Sequence, residues 1–293
     1  MKTLNFKQNK IETLDFETLQ STYKENDVFG KPLKDIYHYQ VINEILERCK
    51  RNGLKYEIQD IFAADNRSKQ HPGVSTLPQV QATHGANAPE AHILRRVYST
   101  IKIHDGETDE LTTNIAIAYH QDGLQVAFGT TVKICRNLCI LGSEKTVSNY
   151  GNGKISNDKI FESVDNWLQN FGDYQERDFR VIQKMKSINC QKSDVMQLIG
   201  MLTSIRIAYD NGIGDVRQNL NNYPLNQAQI SIFTENYLRF AENNDNINLW
   251  DVYNLATDIY HPNKTEIPNI LPQTAVLFEV LNDVYQISEQ WKN

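Results

Sequence analysis

Three β runs joined by two short turns constrain this chain more than any other feature of its sequence. Ile93–His104 places Ile93, Val97 and Ile101 on one face, and Leu111–His120 places Ile115, Ile117 and Tyr119 there. Leu124–Ile134 adds Leu124, Val126, Phe128, Val132 and Ile134. Side chains alternate between the two faces of a strand, so these positions form one apolar surface. Asp105-Gly106 marks the first turn, and Asp122-Gly123 reads as the second, a residue pair suited to the positive φ that two-residue hairpin loops need. An antiparallel meander is expected.

Its other face reads Arg96, Tyr98, Thr100, Lys102, then Asn114, Ala116, Ala118, His120, then Gln125, Ala127, Gly129, Thr131, Lys133. Such a surface is small and mildly basic. The leading explanation is that Ala and Gly let a helix pack closely against it. The alternative is a flat platform for a ligand or polyanion, ringed by Arg96, Lys102 and Lys133.

Helical periodicity flanks the meander. Ile36, Tyr37, Val41, Ile45, Leu46 and Cys49 recur at three- and four-residue spacing, which predicts a helix over 34–52 that Asn52-Gly53 stops. Lys55–Phe62 alternates as a strand should. From Ala64 to Ala91 the period vanishes among Pro and Gly, and a loop of that length is either functional or disordered. Beyond Leu141 a polar loop leads to a helix carrying Ile160, Phe161, Val164, Trp167, Leu168 and Phe171 on one stripe. Further helices are predicted over 174–188, 194–210, 227–241, 249–260 and 273–291, with Ser193, Asn226 and Asn248 as caps and Gly212 as one stop. The fold class is therefore α+β. Residues 1–30 form an N-terminal arm that orders only against something else, 31–155 an α+β domain with the meander, and 156–293 a helical domain packed on it.

Charge is divided between the halves. The chain of 293 residues carries a net charge of −6, and residues 191–293 hold 6 Lys and Arg against 12 Asp and Glu, which leaves the rest neutral. A polyanion would have to approach the β half. No apolar run nears the roughly 18 residues that span a bilayer, the first residues offer no signal-peptide stretch, and the four cysteines do not form a disulfide framework. A cytoplasmic location without membrane contact is expected.

Motifs that would compel a chemistry are missing. Gly151-Asn152-Gly153-Lys154 precedes a helix start but lacks the Ser or Thr that a phosphate-binding loop places after its lysine. His71, His84, His92, His104 and His120 lack metal-ligand spacing, and His104 and His120 read as surface residues at strand ends. Cys135 and Cys139 are too few for zinc and too far apart for a redox pair, so small buried thiols at a strand end are expected. No nucleophile elbow and no catalytic carboxylate pair stands out, and no cofactor is expected.

Two segments carry a resemblance. Gly129-Thr130-Thr131-Val132-Lys133-Ile134-Cys135-Arg136-Asn137-Leu138-Cys139 resembles an element of a bacterial and phage family catalogued as domain of unknown function 3871. Asn248-Leu249-Trp250-Asp251-Val252-Tyr253-Asn254-Leu255-Ala256-Thr257 is similar to that family's Asn-Leu-Trp-x-x-Tyr-Asn element. A looser similarity to the phage/plasmid-like domain of unknown function 932 rests on Cys135, Asn137, Trp250, Asn254 and Thr257. The resemblance implies a protein of a phage, plasmid or other mobile element and no particular reaction.

The leading functional expectation is a non-enzymatic protein that binds or anneals single-stranded nucleic acid, because the order helix, strand, meander, helix is similar to the core of single-strand annealing proteins. Arg96, Lys102, Lys133, Arg136, Lys145, Lys154 and Lys159 are its candidate phosphate contacts, and a homo-oligomer is its corresponding assembly. The alternative is an acidic anti-defence or regulatory factor that binds a host protein. A third reading is an enzyme that brings His71, His84 and His120 together in space.

Overall fold

The computed structural model describes residues 11–25, 36–65, 94–104, 111–120, 123–132, 138–142, 145–148, 157–214 and 223–287. Within these, the chain forms β1 (Ile11–Leu14), α1 (Phe16–Glu25), α2 (His38–Arg51) and β2 (Tyr56–Asp65). The meander follows as β3 (Leu94–Ile103), β4 (Leu111–His120) and β5 (Gly123–Val132), then β6 (Leu138–Cys139) and β7 (Thr146–Ser148). Helices α3 (Asn157–Gln169), α4 (Phe171–Ser187), α5 (Lys192–Asn211), α6 (Gln227–Ala241), α7 (Leu249–Thr257) and α8 (Ile267–Tyr285) complete it, with a 3-10 turn at Asp258–Tyr260 after α7. One antiparallel sheet runs in the order β1-β2-β3-β4-β5-β6, and β7 also pairs with β5. The α+β class is thus observed. No helix among the described residues is long and apolar enough to cross a membrane.

The hydrophobic pattern sets the register of the meander. Tyr119 faces Leu124, Ile117 faces Val126 and Ile115 faces Phe128. That register pairs His120 with Gly123, so Gly123 belongs to β5 and not to the turn expected at Asp122-Gly123. A turn centred one residue later would set Leu124 against Gln121 and Thr130 against Ile115. Three apolar cross-strand pairs outweigh the local preference of the Asp-Gly dipeptide.

Each face of the sheet builds its own core. Val97, Ile101, Ile115, Ile117, Val126 and Phe128 pack against α2 through Val41, Ile42 and Ile45, and against α3 through Ile160, Val164 and Trp167. Phe128 meets Trp167 at 6.1 Å and Phe171 at 6.0 Å between ring centroids. The two helices are joined directly, because Arg48 Nε donates to Asp165 Oδ2 at 3.2 Å and the guanidinium lies 4.5 Å from the Phe161 ring centre. On the opposite face Ala116, Ala118 and Ala127 lie under the C-terminal helices, and α8 runs closest along β4. Close helix packing, rather than an open platform, explains the small residues there. The boundary expected near 155 has α3 beyond it, yet α3 shares a core with α2.

The N-terminal arm orders against the sheet. β1 pairs antiparallel with β2, from Ile11 opposite Ala64 to Leu14 opposite Ile61, and Leu19 of α1 is fully buried. Caps set several helix starts as the sequence indicates. Asn226 Oδ1 accepts the Gln229 amide at 2.9 Å, and Asn248 Oδ1 accepts the Asp251 amide at 3.0 Å. For α5 the cap is Gln191 rather than Ser193, with the Asp194 carboxylate accepting the Gln191 amide at 2.9 Å. Gly212 ends α5 at φ 62°, and Gly53 takes φ 71° just after α2.

The last helix departs furthest from expectation. It begins at Ile267, before Pro272, and carries that proline in its interior. Pro272 has no amide to give the Pro268 carbonyl four residues back. Gln125 Nε2 of β5 donates to that carbonyl at 3.3 Å, so the sheet supplies the missing donor. Gln125→Leu should therefore cost about 1–2 kcal/mol in urea unfolding, and most of that cost should vanish in a Pro272→Ala background where the helix amide returns. Equal costs in both backgrounds would overturn this account.

His38, at the start of α2, is 2% exposed and meets the Tyr119 ring edge-on at 5.5 Å between centroids. Burial pushes its imidazole down from 6.5 to about 3. Between those values only the unfolded chain takes up the proton, so stability is complete above pH 6.5 and falls as pH drops toward 3. The limiting slope is about 1.4 kcal/mol per pH unit. Urea midpoints measured from pH 7 to pH 4 should fall more steeply for the native chain than for His38→Phe.

Candidate ligand-binding cleft

A cleft of about 730 Å³ opens where the β1–β2 side of the sheet meets the corner formed by α7, the 3-10 turn and α8. Its walls come from distant stretches of chain: Thr13 and Asp15 at the end of β1, Glu57 and Gln59 of β2, Tyr98 and Thr100 of β3, Thr131 of β5, and Thr257, Tyr260, His261 and Thr274. Phe16, Phe62, Leu138 and Ile270 add apolar surface. The volume suits a small ligand or a few residues of a larger one.

Several of the polar groups are held in place by their neighbours. Asp15 caps α1, its Oδ1 accepting the Thr18 amide at 2.7 Å, and those Thr18 bonds hold its carboxyl below the ordinary value. Thr100 Oγ1 donates to Gln59 Oε1 at 3.2 Å across the β2–β3 pair. Tyr260 OH donates to the Pro224 carbonyl at 2.6 Å, and His261 Nδ1 accepts the Asn263 amide at 3.3 Å. The His261 ring stands edge-on to Phe62, 5.2 Å between centroids. Burial raises the Tyr98 phenol well above its usual range, so it enters the cleft as a neutral hydroxyl. The charged groups among the lining residues are Asp15 and Glu57, and neither Lys nor Arg is among them.

The two segments that carry the resemblance meet behind this cleft. Cys139 Sγ lies 3.9 Å from Asn254 Oδ1, and Tyr253 OH donates to the Ile140 carbonyl at 3.3 Å. Gly129 makes the approach of β6 feasible, since a Cβ there would sit 2.6 Å from the Cys139 carbonyl oxygen. Thr131 and Leu138 of the first segment and Thr257 of the second then reach the cleft wall.

The candidate phosphate contacts do not gather on one surface among the described residues. Lys145 is 1% exposed: its ammonium pairs with Asp178 Oδ1 of α4, whose other oxygen accepts the Thr130 hydroxyl at 2.8 Å. It joins sheet to helix and is not available to a polyanion. Arg96 is also buried, at 5% exposure. Lys102, half-buried, stands opposite Glu57 in the β2–β3 register, on the cleft side of the sheet. Lys159 is exposed on α3, which covers the other face. Lys133, Arg136 and Lys154 lie outside the described residues, as do His71, His84, His92, Cys135 and most of the 64–91 loop.

His120, expected at the surface, is fully buried, because the last residue of β4 still lies between the two layers. His104 stays near solvent with Nε2 3.5 Å from Glu57 Oε2. Cys139 is buried, as small strand-end thiols were expected to be, and burial raises the thiols of Cys49 to about 12 and Cys190 to about 11. No group of three or more His, Cys, Asp or Glu among the described residues could hold a metal ion.

Sequence reasoning missed the cleft because no local pattern marks its walls. The nearest signal is Asp15, which stands where a helix cap would precede Phe16. For the buried pair, Lys145→Met alone should destabilise the fold by about 3–5 kcal/mol in urea unfolding, since Asp178 is left in the interior without its partner. Lys145→Met with Asp178→Leu should recover most of that loss. No protein-family model, no curated protein and no solved structure matches this chain.

Proposed function

We propose that this chain is a non-catalytic binding protein and that the cleft receives its ligand. The observation that carries the reading is the convergence of the N-terminal strand, the meander and the α7–α8 corner on one polar cleft, which exists only once the whole fold is assembled. Hydroxyls, an amide and two carboxylates suit a neutral or cationic ligand rich in hydrogen-bonding groups. They suit a polyphosphate poorly, since Asp15 and Glu57 outnumber the one nearby ammonium, Lys102. The committed bonds of Asp15 and Tyr260 and the neutral Tyr98 argue for recognition rather than proton transfer.

Handling of single-stranded nucleic acid is the second reading. One observation favours it: α2, β2, the meander and α3 fold as a unit, with both helices side by side on one face of the sheet. Fold order alone does not assign an activity.

A fragment set screened by ligand-observed NMR tests the first reading. Fragments that bind the native chain should lose binding in Thr100→Trp, which fills the cleft, and keep it in Ser231→Trp on the far groove between α5 and α6. Fragments that bind Thr100→Trp as well as the native chain, or an absence of hits, would refute it. Labelled single- and double-stranded oligonucleotides titrated at about 50 and 200 mM salt separate the second reading. Steeply salt-dependent binding supports nucleic acid, and none is expected if the cleft reading holds alone.

A further inference from the structure

We infer that the cleft's ligand is an extended polypeptide segment, which adds a strand to β2 beyond the point where β1 stops. This rests on the reading of the cleft as a binding site and names what fills it. β2 runs from Tyr56 to Asp65, but β1 pairs only with Ile61–Ala64. On that outer side no strand among the described residues pairs with Tyr56–Asp60, and Glu57, Ile58 and Gln59 line the cleft there.

The β2–β3 register shows which way the main chain points along this stretch. The His104 amide donates to the Lys55 carbonyl at 2.9 Å, and the pairing continues as Tyr56 with Ile103, Glu57 with Lys102 and Ile58 with Ile101. Bonded and non-bonded pairs alternate along an antiparallel ladder. Lys55 and Glu57 therefore spend their amides and carbonyls on β3, while Tyr56 and Ile58 turn theirs outward. Two residues of strand separate those groups by about 7 Å. An extended polypeptide repeats an amide and a carbonyl at that spacing, which is why the ligand is a peptide backbone rather than a sugar, a nucleotide or a lipid.

Side-chain alternation divides the ligand between two environments. Tyr56 and Ile58 pack at the margin of the core shared with α2 and α3, where Ile58 also reaches the rim of the cleft, whereas Glu57 and Gln59 line the cleft from the other side of the strand. β1 shows what this edge accepts, since Thr13 and Leu14 both reach the cleft but only Leu14 also packs with the α2–α3 core. The ligand should likewise alternate, with apolar residues toward Tyr56 and Ile58 and polar residues toward the cleft. The lining carboxylates Asp15 and Glu57 outnumber the one nearby ammonium, that of Lys102 opposite Glu57, so a lysine or arginine among the polar set is favoured over an acid. The irregularity between Ile58 and Ile61 bends β2 where β1 ends, which keeps the docking stretch short and guards the edge against pairing with a second copy.

The test uses the full chain and capped octapeptides that alternate valine with threonine, one central threonine replaced by lysine or by glutamate. Fluorescence polarisation should show the lysine peptide binding more tightly than the glutamate peptide. The lysine peptide N-methylated on its edge-facing amides should bind at least about tenfold more weakly, the effect of roughly one lost hydrogen bond. Hydrogen exchange of the Tyr56 and Ile58 amides should slow when the unmodified peptide is present. Ile58→Pro, which removes an outward amide and no β2–β3 bond, should lower affinity to the same degree, and the other two readouts on the native chain do not depend on its folding. Equal binding of the N-methylated peptide, unchanged exchange at Tyr56 and Ile58, or no peptide binding at all would overturn strand addition. If peptides fail while Thr100→Trp still abolishes fragment binding, the cleft remains the site and the polypeptide assignment falls.

Discussion

β4 is buried at all ten of its positions, and the rest of the architecture answers that constraint. Antiparallel sheets commonly leave one face to solvent. Here both faces of the central strand lie under protein, so the chain has to supply a layer on each side. Branched and aromatic residues meet α2 and α3 on one face. Alanines bring the C-terminal helices down on the other, and Gly129 lets β6 close in beside them. The helices after residue 170 are held to the strands by a surface made of very small side chains.

Polar ties give that surface its specificity, because apolar contact between alanines and a helix permits sliding. Lys145, Asp178 and Thr130 fix α4 against β5. Gln125 fixes α8 through the one helical carbonyl that Pro272 leaves without its usual donor. Tyr253 fixes α7 through the Ile140 carbonyl. Each tie joins a strand or its flanking loop to a different helix, so together they set the tilt of the helical layer. The cleft is where that layer diverges from the β1–β2 side of the sheet.

Periodicity made the meander, α2 and most of the C-terminal helices legible, because alternation and three-to-four spacing are local signals. The hairpin register was only half legible: Asp122-Gly123 is a strong turn signal, yet the matching of Tyr119 with Leu124 decided the pairing. The start of α8 was hidden by Pro272, whose damage is repaired by a residue nearly 150 positions earlier. Lysines read as surface charge unless their partner is known, and nothing near Lys145 in sequence points to Asp178. The cleft was illegible for the same reason, since Thr13, Thr100, Thr257 and Thr274 share no motif and meet only in three dimensions.

The small-residue face also bears on how the chain is made. β3, β4 and β5 pair with their sequence neighbours and can form while the ribosome still holds the C-terminal half, but α8 reaches β4 across well over a hundred residues. Long-range contacts form late, and an uncovered sheet is a hazard during that interval. The part of the sheet that waits for α8 offers Ala116, Ala118 and Ala127, which give another nascent chain little apolar area to grip. The face rich in Ile, Val and Phe is covered mainly by α2, made before the meander, and α3, made after it.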